Sequence, residues 1–243
     1  DKDAKAGIYN GKVTISADNT DVEQIIDYST EVIDADFLDE NEYSFRPDFW
    51  TYPFSSAEYY DVEPFSDEHN EILKKHLLQY KNYGGTTLTG TLVEEAWGGQ
   101  TYGKTDAATG DNVRCPSLIK WIKQADGTWR FDYNYFDKFV ELAKSIDLGD
   151  DIVLYSPMPW NNQIIYYDEA SATTKKISAA PGTTAYENNW KPFFKDFADH
   201  LDERDWFDDI SLGFDERDNM LSVFNIIDQI KNKDGKVFKK QGA

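Results

Sequence analysis

Two adjacent carboxylates, Asp215 and Glu216, follow the apolar stretch ISLGF, and a helix-like pattern begins directly after them. Two close carboxylates push their proton affinities apart, so that one can remain a protonated acid while its neighbour is charged. Such a pair can carry out acid–base chemistry. The neighbouring Arg217 can equally neutralise both carboxylates in a purely structural network. The residues alone leave both interpretations equally open, because acidic pairs are frequent in a chain with 45 Asp and Glu residues against 25 Lys and Arg.

The strand predicted for ISLGFDE aims Asp215 into a cleft. Side chains alternate between the two faces of a strand, which puts the apolar residues of this stretch on one face, against helices. Ser211, Gly213 and Asp215 fall on the opposite face, toward the axis of a barrel. We therefore expect Asp215 to point into the mouth of the barrel and Glu216 to lie at its rim.

Aromatic and polar side chains stand at the ends of four predicted strands. These residues are Trp50 and Tyr52 after the first strand, Glu94, Glu95 and Trp97 after the second, Trp160 and Asn161 after the third, and Asp215, Glu216 and Arg217 after the fourth. Aromatic rings beside carboxylates suit a sugar, whose C–H faces pack on rings while its hydroxyl groups need acceptors. A single Trp is better explained by core or loop packing, but the agreement of four strand ends favours a binding cleft.

The elements that position these residues alternate between strand and helix from residue 46 onward. The predicted strands are RPDFWTYP, TTLTGTLVE, DIVLYSP and ISLGFDE, and a helical pattern follows each of them. Alternation of this kind predicts parallel βα units, here about four of them. The predicted fold is therefore α/β, a partial (β/α) TIM-type barrel over residues 46–243 with long loops at 96–130 and 158–185. Residues 1–45 form a separate β-rich segment, which is too small to be stable alone.

The composition excludes several classes of partner. A formal charge of −20 argues against nucleic acid and against adhesion to anionic membranes. No run approaches the roughly 20 apolar residues that insert across a bilayer. The single Cys115 excludes an internal disulfide and a Cys-based zinc cluster, and it fits a cytosolic protein and a bacterial secreted one equally well. No phosphate-binding, calcium or zinc motif is complete, so we predict no cofactor and no metal.

Six segments, taken in order, resemble the catalytic barrel of glycoside hydrolase family 123. They are DFWTYPFSSAEYYDVEPFSDEHNEILKKHLLQYKNYGG, VEEAWGGQTYG, SLIKWIKQADGTWRFDYNYFDKFVELAKSI, VLYSPMPWNNQIIYYDE, PGTTAYENNWKPFFKDFADHL and GFDERDNM. The resemblance covers residues 46–232 nearly without gaps, which is more specific than any one motif. Residues 7–45 resemble the last strands of the β-sandwich that precedes the barrel in that family, so the segment 1–45 is expected to be the remainder of such a domain.

The resemblance implies a retaining β-N-acetylgalactosaminidase that acts on terminal β-linked N-acetylgalactosamine of glycans. The family's catalytic pair corresponds to Asp215 and Glu216, and the implied mechanism uses the substrate's 2-acetamido oxygen to form an oxazoline-like intermediate. Asp215 would hold the acetamide N–H, and Glu216 would act as acid and then as base. The predicted substrate-binding residues are Trp50, Tyr52, Glu95, Trp97, Gln100, Tyr102, Trp160, Asn161 and Arg217. We also expect a secreted or bacterial cell-surface location, although the printed sequence shows no signal-peptide pattern.

The sequence departs from the family pattern in two places and in length. Phe214 and Asp218 flank the catalytic pair where Met and Pro are common, and Gly98-Gly99 replaces an Asn-His, which puts a sugar contact in doubt. The second half of the barrel has no counterpart. We therefore expect either a piece of a longer enzyme or a reduced relative that self-associates or pairs with the missing half. Two alternatives stay open: a non-catalytic carbohydrate-binding or structural fragment, and a glycosidase that uses Glu95 with Glu216 as its carboxylate pair.

Overall fold

The chain forms two compact units, Asp1–Tyr43 and Ser44–Ala243, in a computed structural model. The structure describes residues 3–35, 38, 42–44, 47–99 and 116–242. No helix within these ranges is long and apolar enough to cross a membrane.

The first unit is a hairpin of two long strands, β1 (Gly7–Ser16) and β2 (Glu23–Val32), which pair antiparallel. Residues opposite each other share a face, as Val13 and Ile26 do, and one face of the hairpin therefore collects most of its apolar side chains. These exposed side chains are Tyr9, Val13, Ile15, Ile26 and Tyr28. A two-stranded hairpin is at best marginally stable by itself in water.

The second unit alternates helices and strands, so the predicted α/β class is confirmed. In chain order its elements are α1 (Pro53–Tyr59), α2 (Asp67–Asn82), β3 (Leu88–Thr91), β4 (Lys120–Lys123), β5 (Trp129–Asp132), α3 (Asn134–Lys144), β6 (Ile152–Tyr155), β7 (Gln163–Asp168), β8 (Thr173–Ser178), α4 (Thr184–Glu203), β9 (Ile210–Phe214), α5 (Met220–Ile227) and β10 (Lys239–Gly242).

Four of these strands form a parallel sheet in the order β3, β6, β9, β10. Leu88 pairs with Ile152, and Ile152 pairs with Ile210, so the carboxyl ends of three successive strands meet at one edge of the sheet. Helices α3, α4 and α5 supply the long connections that parallel strands require. The strands predicted from TTLTGTLVE, DIVLYSP and ISLGFDE are confirmed. The sequence did not predict β10.

The first predicted strand, RPDFWTYP, is wrong, because residues 47–52 have no regular secondary structure. The Thr51 hydroxyl donates to the Thr89 carbonyl oxygen (2.8 Å) and accepts from the Thr89 N–H (3.2 Å). The Thr51 side chain thus makes the hydrogen bonds to the backbone of Thr89 on β3 that the backbone of a further strand would otherwise make. Pro53, which the sequence assigned to the end of a strand, is instead the first residue of α1. That position suits its fixed φ and its missing N–H.

The segments 96–130 and 158–185, predicted as long loops, contain a second sheet. β4 and β5 form one hairpin, β7 and β8 form another, and β4 pairs in parallel with β7. β4 and β5 have four residues each, too few for an alternating pattern to stand out from loop sequence. Their position depends instead on tertiary packing, notably of Trp121 on β4 against Phe193 of α4, with ring centroids 4.7 Å apart.

Helix α4 holds this second sheet against the rest of the unit through a buried aromatic face. The helix is continuous from Thr184 to Glu203, so Pro192 neither ends nor restarts it. Trp190, Phe193, Phe194 and Phe197 on this helix are fully buried. Close packing of such large rings resists displacement, which fixes the segments that connect the two sheets.

Candidate active site

The acidic turn, defined as residues 215–219, begins where β9 ends. Phe214, the last residue of β9, packs edge-on against Phe224 of α5, with ring centroids 4.9 Å apart. A Cβ atom at Gly213 would lie 2.7 Å from the Tyr155 ring, on the opposite face of the strand. The packing around Phe214 and Gly213 agrees with the two faces predicted for ISLGFDE, and Asp215 follows on from the face of Gly213.

Both carboxylate oxygens of Asp215 accept a hydrogen bond. The indole Nε1–H of Trp160 donates to Oδ2 (2.8 Å), and the backbone N–H of Glu216 donates to Oδ1 (2.9 Å). Hydrogen bonds to a charged acceptor are stronger than those between neutral groups. The two donors therefore fix both the position and the orientation of this half-buried carboxylate.

The carboxylate of Glu216 has a different environment, although it belongs to the next residue. Glu216 is exposed, and its side chain makes no hydrogen bond or ion pair within the described part of the chain. A carboxyl group in this setting can exchange a proton with a bound molecule without breaking an internal contact. The two acids are thus distinguished by their surroundings, one held and one available.

Arg217 contacts Asn162 and Trp160 and neither of these carboxylates. Its Nη2 donates to Asn162 Oδ1 (2.9 Å), and its guanidinium carbon lies 5.0 Å from the centre of the Trp160 ring. Among the residues that the structure describes, no ion pair joins Arg217 to Asp215 or Glu216. These contacts give no support to the alternative in which Arg217 neutralises the acidic pair.

The aromatic cluster, defined as Trp50, Tyr52, Trp97 and Tyr155, lies beside the ends of β3 and β6. Trp50 stacks on Trp97 with centroids 4.9 Å apart and lies 5.2 Å from Tyr155. Tyr52 meets Trp97 edge-on at 5.6 Å. Trp97 is only 2% exposed and Tyr155 is fully buried, so the cluster is part of the core.

Tyr155 connects the aromatic cluster to the acidic turn. Its ring covers Gly213 of β9, two residues before Asp215. Burial raises the pKa of the Tyr155 hydroxyl to about 12, the charges of Asp48 and Asp215 add to this shift, and the Trp50 side chain opposes it. The phenol therefore stays neutral at any physiological pH and presents no charge to the acids.

The turn after β3 packs on the segment after β6. The backbone N–H of Trp160 donates to the carbonyl oxygen of Ala96 (3.1 Å), and a Cβ at Gly98 would lie 3.4 Å from the Cβ of Trp160. Gly98 and Glu95 both have a left-handed backbone, with φ of 60° and 59°. This conformation is easy for glycine and uncommon for glutamate. Half-buried Glu95 lies over Gly99, with its Oε2 3.5 Å from where a Cβ would stand.

A cleft of about 850 Å³ opens beside the acidic turn. Its lining residues are Trp160, Asn162, Ala180, Pro181, Phe214, Asp215, Glu216, Arg217, Asp218, Asn219, Met220 and Gly242. The structure thus brings four predicted site residues together here: Asp215, Glu216, Trp160 and Arg217. Four others, Trp50, Tyr52, Glu95 and Trp97, belong to the aromatic cluster or to the turn after β3 and do not line this cleft. Gln100 and Tyr102 lie outside the described residues.

Asn162, rather than the predicted Asn161, lines the cleft. Asn161 is exposed, and its Oδ1 accepts the first backbone N–H of β7 (3.1 Å). Asn162 has a left-handed backbone (φ 54°), which brings its amide to Arg217. Two consecutive Asn residues between strands are typical of a turn, and this signal could have identified Asn162. No sequence signal marks Ala180 and Pro181, which reach the cleft because β8 leads the chain back to it.

The arrangement is suited to proton transfer next to an oriented polar group. A fixed carboxylate can hold an N–H or O–H of a bound molecule, while the exposed neighbour gives and takes a proton. Within the ranges that the structure describes, no three His, Cys, Asp or Glu side chains converge as a metal site.

Comparison with known proteins gives the relatives of this chain. The family model described as glycoside hydrolase 123, catalytic domain, matches residues 50–240, and no curated protein matches the sequence. A family 123 glycoside hydrolase from Clostridium perfringens, solved in a study of glycolipid glycan hydrolysis, is 33% identical with a TM-score of 0.80. The likeness covers 99% of this chain and 42% of the clostridial chain, so this chain spans less than half of that enzyme's length. With a family model matching most of its residues, this chain belongs to glycoside hydrolase family 123.

Proposed function

We propose that this chain is the site-bearing part of a retaining glycoside hydrolase that removes terminal β-linked N-acetylgalactosamine from glycans. One observation carries the proposal: Asp215 is held by two N–H donors, while the adjacent Glu216 is exposed and unpaired in the same cleft. Substrate-assisted hydrolysis needs two acids with these different tasks. Membership of family 123 supports the same assignment.

In the first step, Asp215 accepts a hydrogen bond from the N–H of the sugar's 2-acetamido group. This contact turns the acetamido carbonyl oxygen toward the anomeric carbon and offsets the positive charge that develops there. The carbonyl oxygen forms a bond to the anomeric carbon as the bond to the leaving oxygen breaks, and Glu216 gives its proton to that oxygen. The product is an oxazoline-like intermediate.

In the second step, Glu216 acts as a base. It takes a proton from water, whose oxygen attacks the anomeric carbon while the bond to the acetamido oxygen breaks. The sugar is released with its original β configuration, and Glu216 is protonated again for the next turnover. Asp215 keeps its contact with the acetamide throughout, as its fixed orientation allows.

The surroundings of the acids supply candidate sugar contacts. Trp160 and Asn162 line the cleft, and Ala180, Pro181 and Met220 add apolar surface to it. The aromatic cluster lies next to the acidic turn through Tyr155 and Gly213. Because the clostridial relative is described as acting on the glycan of a glycolipid, glycolipid headgroups ending in N-acetylgalactosamine are substrates to test first.

The parallel sheet is best explained as part of a (β/α) barrel. Its strands follow one another in chain order with helices between them, which is the pattern of such barrels. The clostridial chain is more than twice as long as this one. We propose that the barrel is completed here by further chain or by self-association, in a secreted or cell-surface protein.

The test is hydrolysis of a chromogenic β-N-acetylgalactosaminide, with the matching galactoside, which lacks the 2-acetamido group, as control. We expect turnover of the first substrate alone, and inhibition by a thiazoline analogue of the intermediate. Cleavage of both substrates would instead favour a two-carboxylate mechanism with Glu95 and Glu216. The matching N-acetylglucosaminide measures the preference between the two amino sugars.

A non-catalytic carbohydrate-binding fragment is the second candidate, because the chain spans only 42% of its relative. Calorimetry with N-acetylgalactosamine separates the two. Binding without hydrolysis, unchanged in Glu216→Gln, would favour the binding fragment over the enzyme.

A further inference from the structure

Trp160 is held in place by its own backbone segment. Its N–H donates to Ala96 O (3.1 Å), and nearby the Tyr186 hydroxyl donates to Pro157 O (2.8 Å). The Met158 N–H donates to the Ser156 hydroxyl (3.0 Å). The turn after β3 and helix α4 therefore both hold the segment between β6 and β7, which places the indole of Trp160 in the cleft.

The Trp160 side chain is fixed as well as its backbone. The Arg217 guanidinium lies over the ring at 5.0 Å, and Arg217 is itself held by Asn162. Gly98 lies against the Trp160 Cβ, since an added Cβ there would be 3.4 Å away. Trp160 as a residue is 37% exposed, so most of its surface is covered by internal contacts.

We propose that Trp160 is a positioning residue that sets the orientation of the Asp215 carboxylate. Indole Nε1–H can only donate a hydrogen bond, so a fixed Trp160 ring defines where Asp215 Oδ2 must lie. The Glu216 N–H defines the place of Oδ1 in the same way. The remaining lone pairs of Asp215 are then directed toward the cleft, where the acetamide N–H binds. The catalytic consequence of this inference rests on the proposed function. The hydrogen bond between Trp160 and Asp215 is independent of that function.

The contact between Trp160 and Asp215 is tested by NMR on the complete chain, labelled with ¹⁵N-tryptophan. The chain has seven Trp residues and therefore seven indole N–H groups. Trp160→Phe identifies the Trp160 signal by its loss. Asp215→Asn removes the charge of the acceptor, and we expect the Trp160 signal to move more than the other six. Asp218→Asn is the matched control, because it removes a charge from the same turn without a bond to Trp160. A Trp160 signal unmoved by Asp215→Asn, or moved as far by Asp218→Asn, would overturn the proposal whether or not the chain is active.

The catalytic consequence is tested by kinetics of Trp160→Phe, which keeps an aromatic ring under Arg217 and removes the donor. Loss of one hydrogen bond to a charged group should lower kcat about 10- to 100-fold and leave KM nearly unchanged. A raised KM with normal kcat would show that Trp160 only binds the sugar, and this would overturn the positioning role. Absence of turnover in the unmodified chain would count against the proposed function alone, and the NMR result would still decide the contact.

Discussion

The aromatic cluster and the acidic turn lie side by side at the strand ends but are built in opposite ways. Trp97 and Tyr155 are buried, and each touches several rings. Asp215 is half-buried and accepts one hydrogen bond from Trp160 and one from the backbone N–H of Glu216, whereas the Glu216 side chain is exposed and makes no hydrogen bond within the described part of the chain. Removing buried rings costs folding free energy, whereas exposed acids cost little to change. The comparison indicates that the aromatic cluster belongs to the core, whereas the acidic turn leaves polar groups accessible in the cleft.

The largest expected effect that separates the two regions is the loss of activity in Glu216→Gln. The amide cannot give or take the proton, so kcat should fall about 10²- to 10⁴-fold. The melting temperature should not change, because Glu216 is exposed. Hydrolysis of the chromogenic substrate and thermal melting by circular dichroism measure the two quantities. Glu141→Gln, at an exposed position on α3, is the control for both. A parallel loss of stability would assign the acidic turn to the fold instead.

Trp97→Ala should have the opposite profile, with stability as its main effect. Truncation of a buried Trp leaves a cavity and costs about 3–5 kcal/mol of unfolding free energy. Trp97 is 2% exposed and packs against Trp50, Tyr52 and Tyr155. Urea unfolding followed by fluorescence measures the change. Tyr59→Ala, at a residue 82% exposed, is the control and should be close to neutral. An equally small loss in both variants would contradict the assignment of the cluster to the core.

Gly213→Ala tests the point where the two regions meet. The new methyl group would lie 2.7 Å from the Tyr155 ring, and overpacking of this kind costs about 1–3 kcal/mol. Displacement of β9 should also reduce kcat, because Asp215 follows two residues later. Gly242→Ala is the matched control for stability, since nothing lies within 4 Å of its added Cβ. If Gly213→Ala lowered stability and left kcat unchanged, a change in packing at the aromatic cluster would not alter the position of Asp215 in the acidic turn.

The smallest expected effect is a difference in alkaline stability between the unmodified chain and Tyr155→Phe. Burial raises the Tyr155 pKa from its ordinary value of 10.0 to about 12. The folded state then holds the proton more tightly than the unfolded state, so stability is retained below pH 10.0 and lost as the pH rises toward 12. Tyr155→Phe removes this loss. Urea midpoints at pH 8 and pH 11.5 for both proteins measure it, and an identical decline in the two would contradict a buried, neutral Tyr155.

Local patterns in the sequence sufficed for the elements that bury a regular stripe. Helix α3 has Phe136, Phe139 and Val140 at helical spacing on one face, and all three are buried. β6 and β9 were predicted from DIVLYSP and ISLGFDE, and every residue of both strands is buried. These elements follow from local residue patterns, and burial on a single core reinforces them.

Local patterns could not predict the elements and site residues whose positions depend on contacts with residues far away in the chain. RPDFWTYP has the composition of a strand, but the Thr51 hydroxyl satisfies Thr89 and the backbone does not pair. The β4 hairpin is defined by rings of α4 that lie far away in the chain. In the site, the sequence predicted Asp215, Glu216 and Trp160 as functional residues, but it did not predict the hydrogen bond from Trp160 to Asp215. That bond joins side chains 55 positions apart, and only the folded arrangement of β6 and β9 brings them together.

The chain-order arrangement of the parallel sheet has a consequence for biosynthesis. Because β6 pairs with β3, β9 with β6, and β10 with β9, each strand docks on one that left the ribosome before it. No strand of this sheet must wait for a later one to reach its neighbour, so assembly can proceed strand by strand during translation. Trp160 precedes Asp215 by 55 positions in the chain, so the donor of their hydrogen bond is synthesised before its acceptor. Gly242, at the end of β10, is the last of the cleft-lining residues in the chain, so the lining is complete only when β10 joins the sheet.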